Sequence, residues 1–180
     1  RASPDGASLW VANVADGTVS VLDHSLRVHV ARIPVGKAPV QVGFSPDGRE
    51  VYVSLRDEDK VAVIDAVSRK VVARIPVGRN PIQVYATPDG RHVYVANQGT
   101  EASPADTVSV IATASRAVVA TVRTGFGAHG VVVDDDGRYA FVTNIADGTL
   151  SVIATRDQSL VGSLPVGKGP NGVTYWRGDS

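Results

Sequence analysis

The chain has 180 residues, in which 18 Lys and Arg residues balance 18 Asp and Glu residues. This balance excludes a general electrostatic attraction to nucleic acid, membrane surfaces or acidic polymers, so a charged partner must be recognised locally. The sequence has no cysteine, which excludes disulfide bonds, thiolate metal sites and thiol catalysis. Its apolar runs fall far short of the roughly 20 residues that span a bilayer, so no membrane span is predicted.

A turn sequence returns at a regular interval along the chain. Ser3-Pro4-Asp5-Gly6 is followed by Ser45-Pro46-Asp47-Gly48, by Thr87-Pro88-Asp89-Gly90 and, in altered form, by Asp134-Asp135-Asp136-Gly137. The turn glycines Gly6, Gly48, Gly90 and Gly137 are spaced by 42, 42 and 47 residues. A fixed period of this length indicates a repeat architecture. The chain is therefore built from four repeats.

The second repeat shows four short stretches with the alternation and β-branched composition of strands. They are Pro39–Ser45, Glu50–Ser54, Val61–Ile64 and Lys70–Val77, which we call strands A, B, C and D of a repeat. Four antiparallel strands in each repeat are typical of a propeller blade. The predicted fold class is all-β, a β-propeller with one four-stranded antiparallel blade per repeat.

The third repeat carries an insertion of five residues. The glycine that closes strand D lies 30 residues after the turn glycine in the other repeats, but Gly125 lies 35 residues after Gly90. The polar, turn-forming stretch Asn97–Pro104 contains the added residues and predicts an extended loop between strands B and C.

The last strand-like segment, residues 171–176, is a strand A with no strand B after it. We expect it to pair with the first strand B and to close the ring, because exposed sheet edges invite aggregation. Residues 1–180 then form a single propeller domain or the C-terminal part of one. Three architectures remain open: a four-bladed ring, an eight-bladed ring made by a homodimer, and part of a longer propeller whose N-terminal blades are missing.

Four strand B segments resemble the YVTN β-propeller repeats: Trp10–Asn13, Tyr52–Leu55, Tyr94–Asn97 and Phe141–Asn144. The second departs from the family at Leu55, where asparagine is expected. The resemblance covers almost the whole chain and implies a ring of about seven blades. The family includes surface-layer proteins, periplasmic binding proteins and relatives of lactonases, so the resemblance also implies an extracytoplasmic location.

Because strands alternate in direction, the B-to-C loops and the D-to-A linkers emerge on one face, which we call the loop face. We expect it to bind ligands, because its loops differ between blades and it carries the insertion. The first residue after each strand D glycine is Lys37, Arg79, Phe126 or Lys168, and three of the four are cationic. They could bind an anionic ligand. Asp16, Asp57, Asp147 and Glu101 lie on the same face and could neutralise them.

His129 follows Phe126 in the third linker, where the other repeats have Val40, Ile82 and Asn171. His129 and Asn171 complete the predicted ligand-binding set of the loop face, with Lys37, Arg79, Phe126 and Lys168. His129 is a candidate general base, although a hydrogen-bonded structural role is the stronger interpretation. One histidine without cysteine is a poor metal site, and the Asp134–Gly137 run occupies a turn that is structural in the other repeats. We predict no metal, no cofactor and no confident catalytic residue.

Three functions are compatible with these features. The leading hypothesis is a non-catalytic binding or scaffold module whose loop face and central channel take a protein or a small anionic ligand. The alternatives are a lactonase-like or lyase-like enzyme at the channel mouth, and a structural module of a surface layer. Nucleic-acid binding is not predicted, because the few aromatic residues lie mostly in strand B rather than in a basic stripe.

Overall fold

The computed structural model describes residues 1–25 and 28–177, which form four antiparallel sheets arranged side by side as blades. The first blade contains β1 (Ser8–Asn13), β2 (Thr18–Asp23) and β3 (His29–Pro34). The second contains β4 (Pro39–Phe44), β5 (Glu50–Leu55), a 3₁₀ turn (Arg56–Glu58), β6 (Lys60–Asp65) and β7 (Lys70–Pro76). The third contains β8 (Pro81–Ala86), β9 (His92–Thr100), β10 (Ser103–Ala112) and β11 (Ala117–Arg123). The fourth contains β12 (Ala128–Val133), β13 (Tyr139–Asn144), β14 (Thr149–Ala154) and β15 (Ser159–Pro165).

The predicted all-β propeller fold is confirmed, with one sheet for each repeat. In the second, third and fourth blades the strands follow chain order across the sheet, so each pairs with its sequence neighbour through a short turn. The first blade has three strands. Residues 1 and 2 lie beside β1, where Ala2 forms a bridge with Leu9 and Arg1 exchanges backbone hydrogen bonds with Trp10.

The hydrophobic core is divided among the three interfaces between neighbouring blades. Trp10, Val19 and Ile33 of the first blade pack in one cluster with Val51 and Val53 of the second. The same arrangement recurs between the second and third blades and between the third and fourth. Each blade therefore has a front face that packs on the following blade and a back face that packs on the preceding one.

Strands A also join neighbouring blades by hydrogen bonds. The backbone N–H of Val84 donates to the side-chain oxygen of Gln41 at 2.6 Å, and that of Val131 donates to Gln83 at 3.1 Å. In the fourth blade Gly130 occupies the corresponding position. A Cβ on Gly130 would lie 3.2 Å from the carbonyl oxygen of Asn171, so the glycine allows the C-terminal segment to approach.

The A-to-B turns are held by a hydroxyl and a carboxylate. In the second blade Ser45 donates to Asp47 at 2.6 Å and accepts the N–H of Glu50 at 2.9 Å, and Gly48 has a φ of 72°. In the fourth blade Asp134 replaces the serine, and one of its carboxylate oxygens accepts two backbone N–H groups. The aspartate run is therefore a variant of the same turn.

A buried asparagine lies in strand B of the third and fourth blades. Asn97 donates to Thr107 and Ser109 at 3.2 and 3.0 Å, and Asn144 makes the equivalent contacts. Asn97 lies directly below Gly78, where a Cβ would approach its amide nitrogen to 2.4 Å. In the second blade Leu55 fills this place opposite Lys60 and next to buried Ala62. The asparagine therefore packs beneath the linker, and an apolar pair can replace it.

Two features differ from the sequence-based expectations. The insertion does not form an extended loop; it lengthens β9 and β10 into a hairpin that still pairs Thr100 with Ser103. Residues 171–176 form no strand, and residues 166–177 extend along the fourth blade instead. Tyr175 stacks on Phe141 at a ring distance of 6.0 Å, and Arg177 pairs with Asp136. The segment thus lies where a strand A of a following blade would lie.

Candidate binding face

The D-to-A linkers and the B-to-C loops meet on the loop face, as expected. The second residue after each strand D glycine has a left-handed backbone, with φ between 48° and 75°: Ala38, Asn80, Gly127 and Gly169. This conformation is unfavourable for residues other than glycine and persists only where the surroundings hold it. Here the neighbouring loops supply those contacts.

Carboxylates of the B-to-C loops accept backbone N–H groups of the linkers. The N–H of Lys37 donates to Glu58 at 2.6 Å, and that of Phe126 donates to Asp147 at 2.7 Å. The N–H of Asn80 donates to Asp59 of the preceding blade at 2.8 Å. Hydrogen bonds with a charged acceptor are stronger than those between neutral groups. The linkers are therefore fixed to the loops around them.

The three predicted cations each lie in their own linker. Lys37 is exposed and lies near Asp57. Arg79 donates to the carbonyl and hydroxyl oxygens of Ser103 next to the tip of the long hairpin. Lys168 is exposed in the C-terminal segment. The described contacts tie Lys37 and Arg79 to their own surroundings, so a shared anion site at these positions stays a prediction.

Three of the four acidic side chains expected on the loop face have partners, namely Asp16, Asp57 and Asp147. Arg56 forms two hydrogen bonds with Asp57, which lower the pKa of Asp57 and raise that of Arg56. Asp16 pairs with Arg32. Of the four acids expected to neutralise the cations, Asp147 instead accepts the N–H of Phe126.

His129 and Asn171, two of the predicted site residues, are in contact. The Nδ1 atom of His129 lies 2.6 Å from the carbonyl oxygen of Asn171. Because a carbonyl can only accept, Nδ1 carries the proton in this arrangement, and Nε2 is left as the basic nitrogen. The described contact is structural, since it attaches the C-terminal segment to the fourth blade.

A first groove of about 680 Å³ lies between the loops of the first and second blades. Its charged lining residues are Asp16, Lys37, Arg56 and Asp57. The two positive and two negative charges balance, so the groove has no surplus charge to attract an anion.

A second groove of about 380 Å³ lies between the long hairpin and the B-to-C loop of the fourth blade. Its lining consists of Gln98, Thr100, Glu101, Pro104, Gly127, Ile145 and Ala146. The N–H of Gly127 donates to the hairpin carbonyl of Ala105 at 2.6 Å, and the N–H of Ile145 donates to the carbonyl of Gly127 at 2.9 Å. Backbone hydrogen bonds thus connect hairpin, linker and loop.

Sequence reasoning did not identify this second groove. Its walls come from three segments joined by backbone atoms, and backbone contacts leave no side-chain motif. The insertion was the available signal, and it indicated the correct region. In the part of the chain that the structure describes, no helix is long and apolar enough to cross a membrane, and no group of three or more acidic or histidine residues is placed to hold a metal ion.

Comparison with known proteins supports the assignment of the fold. A chain of Kuenenia stuttgartiensis hydrazine synthase is similar in structure, with a TM-score of 0.85 and 25% sequence identity. The match covers 92% of this chain but 48% of the other, so this chain spans about half the length of that protein chain. No curated protein matches the sequence significantly. The model of the YNCE-like beta-propeller family matches residues 27–179, and the chain belongs to that family.

Proposed function

We propose that this chain is a non-catalytic binding module that takes a short protein segment in the second groove of its loop face. The observation that carries the proposal is the backbone connection of Ala105, Gly127 and Ile145, which fixes the walls of the groove relative to one another. A site that is already ordered loses little conformational freedom when a ligand enters. Such a groove is suited to binding.

The lining indicates the chemistry of the ligand. Pro104, Ile145 and Ala146 supply apolar surface, and Glu101 is the charged residue in the lining. Binding sites commonly combine an apolar surface with a few polar groups that orient the ligand. A peptide with an apolar side chain beside a lysine or arginine fits this pattern. Phe126, which is half exposed in the adjoining linker, adds aromatic surface.

A small anionic ligand has less support. It would need cations that lack acidic neighbours, whereas the first groove has balanced charges and Arg79 already contacts Ser103. For this reason we assign the protein segment, rather than the anion, to the loop face.

We also propose that the repeats are of the YVTN type and that the protein works outside the cytoplasm. The four strand B segments that end at Asn13, Leu55, Asn97 and Asn144 support both statements by resemblance. Fractionation of the source cells with an antibody against this chain tests the location, and recovery in the cytoplasmic fraction alone contradicts it.

The binding experiment begins with a displayed library of random peptides selected on the purified protein. Calorimetry then compares a selected peptide on the wild type and on Ala146→Arg, which fills the groove from an exposed position. We expect affinity to fall at least about tenfold, or about 1.4 kcal/mol. Glu101→Gln should weaken the same peptide.

Ala114→Arg is the matched control, because Ala114 is also exposed but lies in a C-to-D turn on the opposite face. It should leave the affinity unchanged. Selected peptides that bind Ala146→Arg as tightly as the wild type, or a selection that yields no binding peptide, would contradict the proposed function.

A further inference from the structure

The outer edge of the third blade differs from those of the other three blades. Each sheet ends in its strand D, which is β11 in the third blade. The last residue of strand D is proline in the other blades, namely Pro34, Pro76 and Pro165. The third blade has Arg123 at this position. Because proline has no backbone N–H, β11 is the one strand D of the four described that ends with an N–H group.

The N–H of Arg123 points away from the sheet. The next residue, Thr124, donates its N–H to the carbonyl of Asp106 beside strand C at 2.7 Å. In an antiparallel strand the backbone groups of successive residues point to opposite sides, so those of Arg123 point outward. The groups of Thr121, two residues earlier, point the same way. Thr121 and Arg123 therefore offer their N–H and C=O groups to a further strand.

The other edges differ at the position of Thr121 as well. Arg32 and Arg74 occupy this position in the first and second blades. In the fourth blade Ser163 follows Gly162. Charged side chains and prolines hinder the pairing of an edge strand with another chain, and glycine weakens a strand. Threonine favours strands, so the third blade combines a strand-forming residue with an open N–H.

A β-bulge limits the length of this open edge. In β11, strand C pairs with Val118 and then with Ala120, which leaves Val119 as the extra residue. The register shifts at the same place in the other outer strands. A bulge bends its strand and interrupts regular pairing. The open edge therefore extends from Ala120 to Arg123 and suits a short extended segment.

We infer that the outer edge of the third blade binds an extended segment of a partner protein that carries an acidic residue. In strand addition, backbone hydrogen bonds supply affinity and side-chain contacts select the sequence. The side chain of Arg123 is 84% exposed, and its ion pair with Asp106 measures 3.7 Å, which is longer than a hydrogen bond. A carboxylate of the segment can thus bind the guanidinium group. The edge shares no lining residue with the second groove, so this surface is additional to the proposed one.

The test begins with a displayed library of short peptides in which valine or threonine alternates with random residues. Arg123→Pro is the decisive variant, because it removes the outward N–H and gives the third blade the residue of the other three. Peptides selected on the wild type should contain aspartate or glutamate. By calorimetry, their affinity for Arg123→Pro should be at least about tenfold lower. A selection without binding peptides, or equal affinity for both proteins, overturns the inference.

Two further variants separate the backbone from the charge. Arg123→Gln keeps the N–H and loses the charge, so its affinity should lie between those of the wild type and Arg123→Pro. Equal losses in the two variants would overturn strand addition, because the side chain alone would then carry the binding. Arg74→Gln, at an edge that Pro76 closes, is the matched control and should bind as the wild type does.

Hydrogen exchange in the wild type provides a measurement that needs no variant. The bound peptide should slow exchange of the Thr121 and Arg123 amides, and unchanged exchange overturns strand addition. Light scattering on the protein alone tests a second copy as the occupant. A mass above the 18.8 kDa of one chain that Arg123→Pro reduces would overturn the assignment to a partner protein.

Discussion

The hydroxyl of Tyr94 donates a hydrogen bond of 2.5 Å to the side-chain oxygen of Gln158, which lies 64 residues later in the next blade. Tyr52 has a related role, since it donates to Glu50, which forms an ion pair with Arg116 of the third blade. The aromatic residue of strand B therefore connects each of these blades to the C-to-D turn of its neighbour.

Replacing Tyr94 by phenylalanine should lower the free energy of unfolding by about 1 kcal/mol, the usual net value of one hydrogen bond. Burial raises the pKa of Tyr94 to about 12. Because the folded pKa lies above the unfolded value, the stability linked to this group is present below pH 10 and is lost as the pH rises towards 12. Urea titrations at neutral and alkaline pH measure both effects. Tyr139→Phe is the control, since Tyr139 is exposed, and an equal loss in both variants would refute the connection.

Replacing Ser109 by alanine should destabilise the third blade by about 1–3 kcal/mol, because buried Asn97 and the N–H of Gly78 both lose an acceptor. The double change Asn97→Leu with Ser109→Ala reproduces the pair found in the second blade, Leu55 and Ala62. The double variant should recover part of the stability that Ser109→Ala loses. Urea unfolding measures the free energy of unfolding of the single and double variants. A double variant that is less stable than Ser109→Ala would show that the two blades differ in their packing.

Acid should weaken the A-to-B turns. The hydrogen bond from Ser45, assisted by the N–H of Arg49, lowers the pKa of Asp47 below its ordinary value of about 3.9. A lowered folded pKa contributes stability above the unfolded value, and that contribution is lost as the pH falls through the folded value. We expect Ser45→Ala to raise the pKa of Asp47, as measured by NMR titration of its carboxyl carbon. An unchanged pKa would assign the shift to other groups.

The outer strand of the fourth blade, β15, should tolerate a truncation that the internal interfaces do not. Ile75→Ala should cost about 2–5 kcal/mol, because Ile75 is buried between two blades. Leu164→Ala should change stability by less than about 0.5 kcal/mol, because Leu164 is 61% exposed. Thermal unfolding compares the two variants. Equal losses would mean that Leu164 is buried in solution.

Most of the fold could be predicted, because the four repeats share one pattern of strands and turns. Strand B of the second blade was expected over Glu50–Ser54 and is observed over Glu50–Leu55, because alternation and turn residues define each strand locally. Residues 171–176 have the same pattern but form no strand, since a strand also needs a paired neighbour, and pairing is not a local property. The loop face was predicted from strand direction alone. The partners of its charges were not, because side chains such as Arg79 reach segments that are remote in sequence.

The added residues extend the hairpin of the third blade along the direction of its two strands. Asn97 still pairs with Thr107 below the added residues, and Val95 still pairs with Ser109, so the spacing between this blade and its neighbours is unaffected by the extra length. Changes at the tip, Glu101 and Ala102, would therefore leave these strand pairs in place. Foreign sequences grafted there would be displayed without remodelling the propeller, and the same freedom would let evolution alter recognition in this repeat while leaving the others untouched.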